Sequence, residues 1–457
     1  MTSPILTFLG AVGTVTGSRF LVEGRHGKVL VDAGLFQGVR SLRQRNWDDP
    51  PLNPAELDAV VLTHAHLDHS GYLPKLVRGG FAGPVICTPE TAALVEIVLR
   101  DSAHLQSEDA AYANRTGFSK HAPALPLYDE SDVDKTLPLL TPTALRTRGT
   151  LAPNLTVSLR PSGHILGSAI ALISVDGATA LFSGDLGRPH HPLLDPPAEP
   201  PAASAIVVES TYGDRTHPEP NDEILASAVR RTVARGGTVL VPAFAVDRTE
   251  LVLLELHRLR QSGRIPPVAV YVDSPMALAS LEVHRRAART TGALQGGCIA
   301  DLFDLPEVHP VREAAESMSL NSPSVPCILV SASGMASGGR VVHHLRHQLP
   351  DPRNTVVLTG YQAEGTRGRQ LANGARTVKM HGRYVPVRAD IVQIPDFSVH
   401  ADADEIIAWL GRAPRPPRTA YVVHGEPASS AALARRIRDE LGWCAATPRY
   451  GERVRLD

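Results

Sequence analysis

Cysteine is scarce in this chain and never closely paired. Cys87, Cys298, Cys327 and Cys444 are scattered over 457 residues with no C-x-x-C spacing. They read as reduced structural thiols, not as a zinc site or a disulfide framework. Long apolar runs are also missing, and nothing approaches the roughly 18 residues needed to cross a bilayer. The start, Met1-Thr2-Ser3-Pro4-Ile5-Leu6-Thr7-Phe8, lacks a basic stretch followed by an apolar one. No signal peptide and no membrane partner are expected, and the expected location is the cytoplasm. Aromatics make up only 5%, so the core must rest on Val, Leu, Ile and Ala. The formal net charge is −1 with His neutral, so a nucleic-acid partner would need a local basic patch.

What is present is a globular composition, 43% hydrophobic and 20% charged, in a chain long enough for two domains. Short β-like runs at 5–10, 18–22, 28–32 and 59–63 alternate with Gly-rich turns. Helix is expected over 72–78 and from 90 to about 106. Strands follow at 84–88, 155–159, 169–175 and 178–183. The Pro-rich stretch 192–201 is hostile to helix and reads as the approach to a domain boundary. Beyond it, strand and helix alternate: strands at 205–209, 238–242, 268–272 and 326–331, helices at 221–235 and 247–262. That is the pattern of βαβ units on a parallel sheet. The last part has strands at 391–394 and 419–423 and helices at 402–410 and 429–441.

The densest chemistry is His64-Ala65-His66-Leu67-Asp68-His69, directly after an apolar strand. Four potential ligands in six positions are far more than a polar loop needs. His64 and His66 can bind one metal, with Asp68 and His69 turned to a second. A mixed imidazole and carboxylate shell suits zinc. Two metals about 3.5–4 Å apart can hold a hydroxide as nucleophile near neutral pH. One loop cannot complete two shells. Downstream candidates are His164, in a Gly-flanked loop between strands, and Asp185 in Phe182-Ser183-Gly184-Asp185-Leu186-Gly187, whose two oxygens can bridge two metals.

This order of ligands resembles that of the metallo-β-lactamase superfamily, and Val31-Asp32-Ala33-Gly34 matches its first motif. The resemblance implies that Asp32 orients ligands by hydrogen bonding. Later segments narrow the likeness. Val207-Val208-Glu209-Ser210-Thr211, Phe397-Ser398-Val399-His400-Ala401-Asp402 and Val422-Val423-His424-Gly425-Glu426 resemble the three further motifs of the β-CASP nucleases. That group includes bacterial RNase J and the endonuclease subunit of the eukaryotic cleavage and polyadenylation factor. Two positions depart from its pattern: Asp247 stands where Gly is usual and Glu250 where Gln is usual, which would add acidity near an RNA path.

The resemblance implies an α/β fold: a metallo-β-lactamase αββα sandwich over 1–205 and 390–457, with an α/β β-CASP domain on a mainly parallel sheet inserted at 206–389. It implies two Zn(2+), one held by His64, His66, His164 and Asp185, the other by Asp68, His69, His424 and the shared Asp185. Asp68, Glu209 and His400 would be catalytic, with Glu209 orienting a protonated His400 as general acid. Ser331, Ser333, Gly334 and Arg340, in a Gly-rich turn, are candidates to hold a substrate phosphate. The expected activity is hydrolysis of single-stranded RNA, endonucleolytic, leaving 5′-phosphate and 3′-hydroxyl ends. With Asp32 early and no further domain after the last motif, a compact endonuclease-type enzyme is expected, and a homodimer is one assembly it allows. The rivals are a small-ester, thioester or lactam hydrolase, and a non-catalytic RNA-binding subunit; the large insert disfavours the first and the full ligand set the second.

Overall fold

The computed structural model describes residues 3–117, 119–290, 294 and 305–457. The chain forms two compact units, Met1–Thr216 with Val399–Asp457, and His217–Ser398. Cys298 lies outside the described residues; Cys87, Cys327 and Cys444 are free thiols.

The first unit is built on two seven-stranded sheets. In one, Arg453–Arg455, Ile5–Phe8, Phe20–Glu23 and Lys28–Val31 run antiparallel, then Ala59–Val61, Val85–Cys87 and Leu140–Pro142 continue in parallel. The other has Arg148–Ala152, Leu155–Pro161, Ala169–Val175 and Ala178–Phe182 antiparallel, then Ala205–Val208, Thr419–Val422 and Ala445–Ala446 parallel. Alternate side chains of both sheets meet in one core around Phe8, Phe20, Phe182 and Tyr421. Ala59 and Val61 point into that core, while Val60 and Leu62 are equally buried on the other side. The run is continuous because a parallel strand covered on both faces needs apolar residues at every position. The second sheet packs its outer face, through Ile206 and Val208, on helices Ala403–Leu410 and Pro427–Leu441. Helix Pro89–Thr116 outruns the expected end near 106; Gly117, in the left-handed region at φ 65°, stops it.

The unit boundaries fall after Thr216 and Ser398, not at 205/206 and 389/390. The cause is strand pairing. Ala205–Val208 lies between Ala178–Phe182 and Thr419–Val422 in the first unit's sheet, whereas Asp390–Ile394 extends the second unit's sheet beside Thr355–Thr359.

The second unit is a six-stranded sheet in the order Val308–Pro310, Val270–Val272, Ile328–Ser331, Val239–Pro242, Thr355–Thr359, Asp390–Ile394. Every pairing in it is parallel. Helices Arg248–Gln261, Pro275–Thr290 and Arg340–Gln348 are among its crossovers, and an antiparallel hairpin, Thr377–Met380 with Arg383–Pro386, adds a small separate ribbon. Asp247 and Glu250 are 1% and 0% exposed, so neither adds charge to a surface. Asp247 holds φ 70°, a conformation glycine adopts without cost.

Candidate metal centre and acid pair

Parallel strands deliver the site. Neighbouring strands Lys28–Val31 and Ala59–Val61 end at Asp32 and at the His64–His69 loop. In the other sheet, neighbours Ala178–Phe182, Ala205–Val208 and Thr419–Val422 end just before Asp185, Glu209 and His424. His164 sits in the turn between Leu155–Pro161 and Ala169–Val175, where Ser168 Oγ accepts from the amides of His164 and Ile165 at 3.0 and 3.1 Å. The first two loops interlock tightly: Ala33 N donates to His69 O at 2.7 Å. A Cβ on Gly34 would lie 1.6 Å from Asp68 O, so only glycine permits that approach.

The ligand atoms form two groups. One atom each from His64, His66, His164 and Asp185 lie within 4.8 Å of one another, and so do atoms of Asp68, His69 and His424. Asp185 faces both. Its Oδ2 is 3.4 Å from His64 Nε2 and 3.5 Å from His164 Nε2, and its Oδ1 is 3.2 Å from His69 Nε2. His64 Nε2 and His66 Nδ1 are 3.1 Å apart, His66 Nδ1 and His164 Nε2 3.4 Å. His69 Nε2 and His424 Nε2 stand at 3.2 Å. These separations fit a metal. Four ligands at the usual Zn–N distance, tetrahedrally disposed, lie about 3.3 Å apart. Asp185 Oδ1, buried, has no hydrogen-bond partner among the described residues, as befits an oxygen shaped for an ion. The donor set, imidazole with carboxylate, is zinc's.

Outer nitrogens fix three of the rings. His69 Nδ1 donates to Asp32 Oδ2 at 2.7 Å, and Asp32 also accepts from Thr63 N and Thr63 Oγ1. His64 Nδ1 meets Thr63 Oγ1 at 3.1 Å, and His424 Nδ1 meets Thr211 Oγ1 at 3.2 Å. Each contact turns the remaining nitrogen inward. Thr63 borders one motif and Thr211 lies inside another, yet neither carries a sequence signal of its own. Burial pushes His64 and His164 well below the usual imidazole range and His66 to about 4, leaving neutral rings with free lone pairs for a metal. Burial also lowers His69, but Asp185 and Asp32 outweigh it and raise the ring well above its ordinary value.

Beside this centre, His400 Nδ1 lies 3.1 and 3.2 Å from the two oxygens of Glu209, and His400 Nε2 is 4.0 Å from Asp185 Oδ2. Glu209 is buried and anchored by Leu186 N at 2.6 Å. A bridge between Gly187 and His400 fixes the ring's backbone. The His400 side chain keeps 15% exposure, so it borders both the metal ligands and solvent.

The expected phosphate-binding residues belong to the second unit, and two of them are committed there. Arg340 donates to Asp273 Oδ1 at 2.6 Å and to the carbonyls of Val311 and Arg312, so its guanidinium is not an open fork. Ser331 Oγ donates to Asp273 O. Ser333 Oγ accepts from Ser337 N. Gly334 packs against Phe244, where a Cβ would come within 2.7 Å of the ring.

Comparison with known proteins agrees along the whole chain. Residues 12–243 match the metallo-beta-lactamase superfamily, 249–371 the Beta-Casp domain, and 384–448 the Zn-dependent metallo-hydrolase RNA specificity domain. The chain is 35% identical to "Ribonuclease TTHA0252" of Thermus thermophilus, over 97% of this chain and 98% of that one. It is 30% identical to an "RNase J-like protein" of Methanocaldococcus jannaschii, over 95% of each. With "Transcription termination factor FttA" of Pyrococcus abyssi the identity is 31%, over 99% of this chain and 71% of that one. A solved protein of unknown function from Enterococcus faecalis shares the fold at a TM-score of 0.53 and 16% identity, covering all of both chains. With its zinc-type ligand set and these relatives, the chain belongs to the β-CASP ribonucleases of the metallo-β-lactamase superfamily.

Proposed function

We propose that this zinc-dependent metallo-hydrolase cuts single-stranded RNA internally, leaving 5′-phosphate and 3′-hydroxyl ends, with two zinc ions and His400 as general acid. The observation that carries the reading is the Glu209–His400 pair, set 4.0 Å from the carboxylate shared by both ligand groups. The relatives' printed names, a ribonuclease and an RNase J-like protein, support the substrate class.

His64, His66, His164 and Asp185 would hold one ion, and Asp68, His69, His424 and Asp185 the other. Bound there, zinc supplies Lewis-acid stabilisation of phosphoryl oxygens and a water acidified toward neutral pH. Asp68, with 19% of its side chain exposed, would accept a hydrogen bond from the attacking water. As the P–O3′ bond breaks, charge builds on the 3′ oxygen, and His400 Nε2 donates a proton to it. Glu209 holds Nδ1–H and stabilises the imidazolium before transfer. Glu209 is itself held in place by the bond from Leu186 N.

The test is digestion of one labelled RNA in linear and circular form, with the product ends sequenced. Cleavage of the circle, with 5′-phosphate ends, is expected. Turnover of nitrocefin or lactoylglutathione with no RNA cleavage would overturn the reading.

A further inference from the structure

The net charge of −1 hides one strongly polarised surface. Residues 365–389 contain six Arg and Lys and no Asp or Glu. The neighbouring helix Arg340–Gln348, RVVHHLRHQ, is likewise without an acid. Elsewhere in the second unit several arginines are neutralised: Arg235 by Asp390, Arg258 by Asp222, Arg264 by Glu223, Arg353 by Asp351. Arg367 and Arg369 donate to main-chain carbonyls. Beyond them the pattern breaks. Arg376, Lys379, Arg383 and Arg388 have no carboxylate within ion-pair distance among the described residues.

Aromatic faces are interleaved with these charges. In the hairpin register Lys379 stands opposite Tyr384, with the ammonium 5.9 Å from the ring centroid. Tyr384 is 72% exposed, the highest value of any large apolar side chain among the described residues. Val378, Met380 and Val385 anchor the hairpin's inner side in the second unit's core, so the outer side is presented on a rigid base. At the tip, His381 packs against His343 of the helix, with the rings tilted at 31° and centroids 4.6 Å apart. Burial, then His343, Arg346 and Arg367, push His381 below the usual imidazole range, which favours a neutral ring among cations at pH 7.

Uncompensated cations attract a polyanion, and exposed rings stack on unpaired bases. A duplex would offer the charges but hide its base faces from Tyr384. A carboxylate-rich protein would leave the rings unused. We propose that the hairpin Thr377–Met380/Arg383–Pro386, with the exposed side of helix Arg340–Gln348, is a docking surface for a single-stranded segment of the RNA. Lys379 and Arg383 take phosphates and Tyr384 a base. The inference rests on the ribonuclease reading and adds a place where the substrate is held.

The test uses zinc-loaded enzyme with His400→Ala as the common background for binding, and the parental enzyme for kinetics. Fluorescein-labelled polyuridylate is titrated and followed by anisotropy at several salt concentrations. Tyr384→Ala should weaken binding at least about fivefold, and Tyr384→Phe should restore it. Lys379→Ala and Arg383→Ala should each reduce the salt slope by about one. In the parental background the same variants should raise KM for long polyuridylate and leave cleavage of a short oligonucleotide unchanged. Unaltered affinity and salt slope would overturn the proposal. An equal loss of duplex RNA binding in Tyr384→Ala would also overturn it, as would intact RNA affinity with altered sedimentation of the chain alone, which marks a protein interface. If the parental enzyme cleaves no RNA at all, the ribonuclease reading itself falls, and that result is separate.

Discussion

At the scale of the residue, the site divides by what each side chain touches. His400 bonds Glu209 and holds no place in either ligand group. His400→Ala should therefore keep its zinc, measured by metal analysis, and lose about 10²–10⁴-fold in cleavage rate. Asp32 acts through His69 and Thr63. Asp32→Ala should weaken zinc affinity about 10–100-fold, read by competition with a chromogenic chelator. The candidate ligands stand out in sequence because metal chemistry needs rare residue types crowded after strand ends. Thr63 and Thr211 do not, since a lone threonine has no pattern of its own and Thr211 meets His424 only in the fold. Arg340 shows a related limit. A basic residue after a Gly-rich turn looks available to an anion, and only folding brings Asp273 against it.

At the scale of the element, helix Ala403–Leu410 begins two residues after Ala401 with a reciprocal cap between Asp402 and Glu405. This cap fixes the helix start just beyond His400. Asp402→Ala should cost about 1 kcal/mol of stability, read by denaturant unfolding. On helix Arg248–Gln261, Glu250 is buried beside Ser280 and His284, and burial pushes its carboxyl up to about 7. Its folded pKa thus lies above its unfolded value near 4.3. The folded state binds the extra proton between these limits, so this contribution is fully present below about pH 4 and lost as pH rises through about 7. Glu250→Gln should flatten that dependence, gaining up to about 3 kcal/mol over the parent above pH 7; melts at pH 5 and 8 will show whether the gap opens. Buried strands such as Ala59–Val61 and Val239–Pro242 were legible as short apolar runs. The hairpin Thr377–Met380/Arg383–Pro386 was not, because Lys379, Arg383 and Tyr384 on its outer side erase the apolar signal.

At the scale of the molecule, the fold class and the insertion were legible from the order of the motifs. The boundaries were not, because Ala205–Val208 and Asp390–Ile394 look alike as strands and differ only in which sheet they join. The seven candidate ligands His64, His66, Asp68, His69, His164, Asp185 and His424 all lie in the first unit. Chelation should therefore lower the melting transition of that unit, by about 4 kcal/mol where zinc had been a thousandfold above its Kd, and leave the second unit's transition in place. Calorimetry with and without chelator tests this. The pairing of Ala205–Val208 with Thr419–Val422 also sets a timetable for synthesis. His424 rides at the end of the second strand and is translated after every other ligand. While the ribosome is still making the insert, the nascent chain lacks both that strand and His400. On the roles proposed for His424 and His400, a member of a ribonuclease family is thus born without its blade, beside the very message that encodes it.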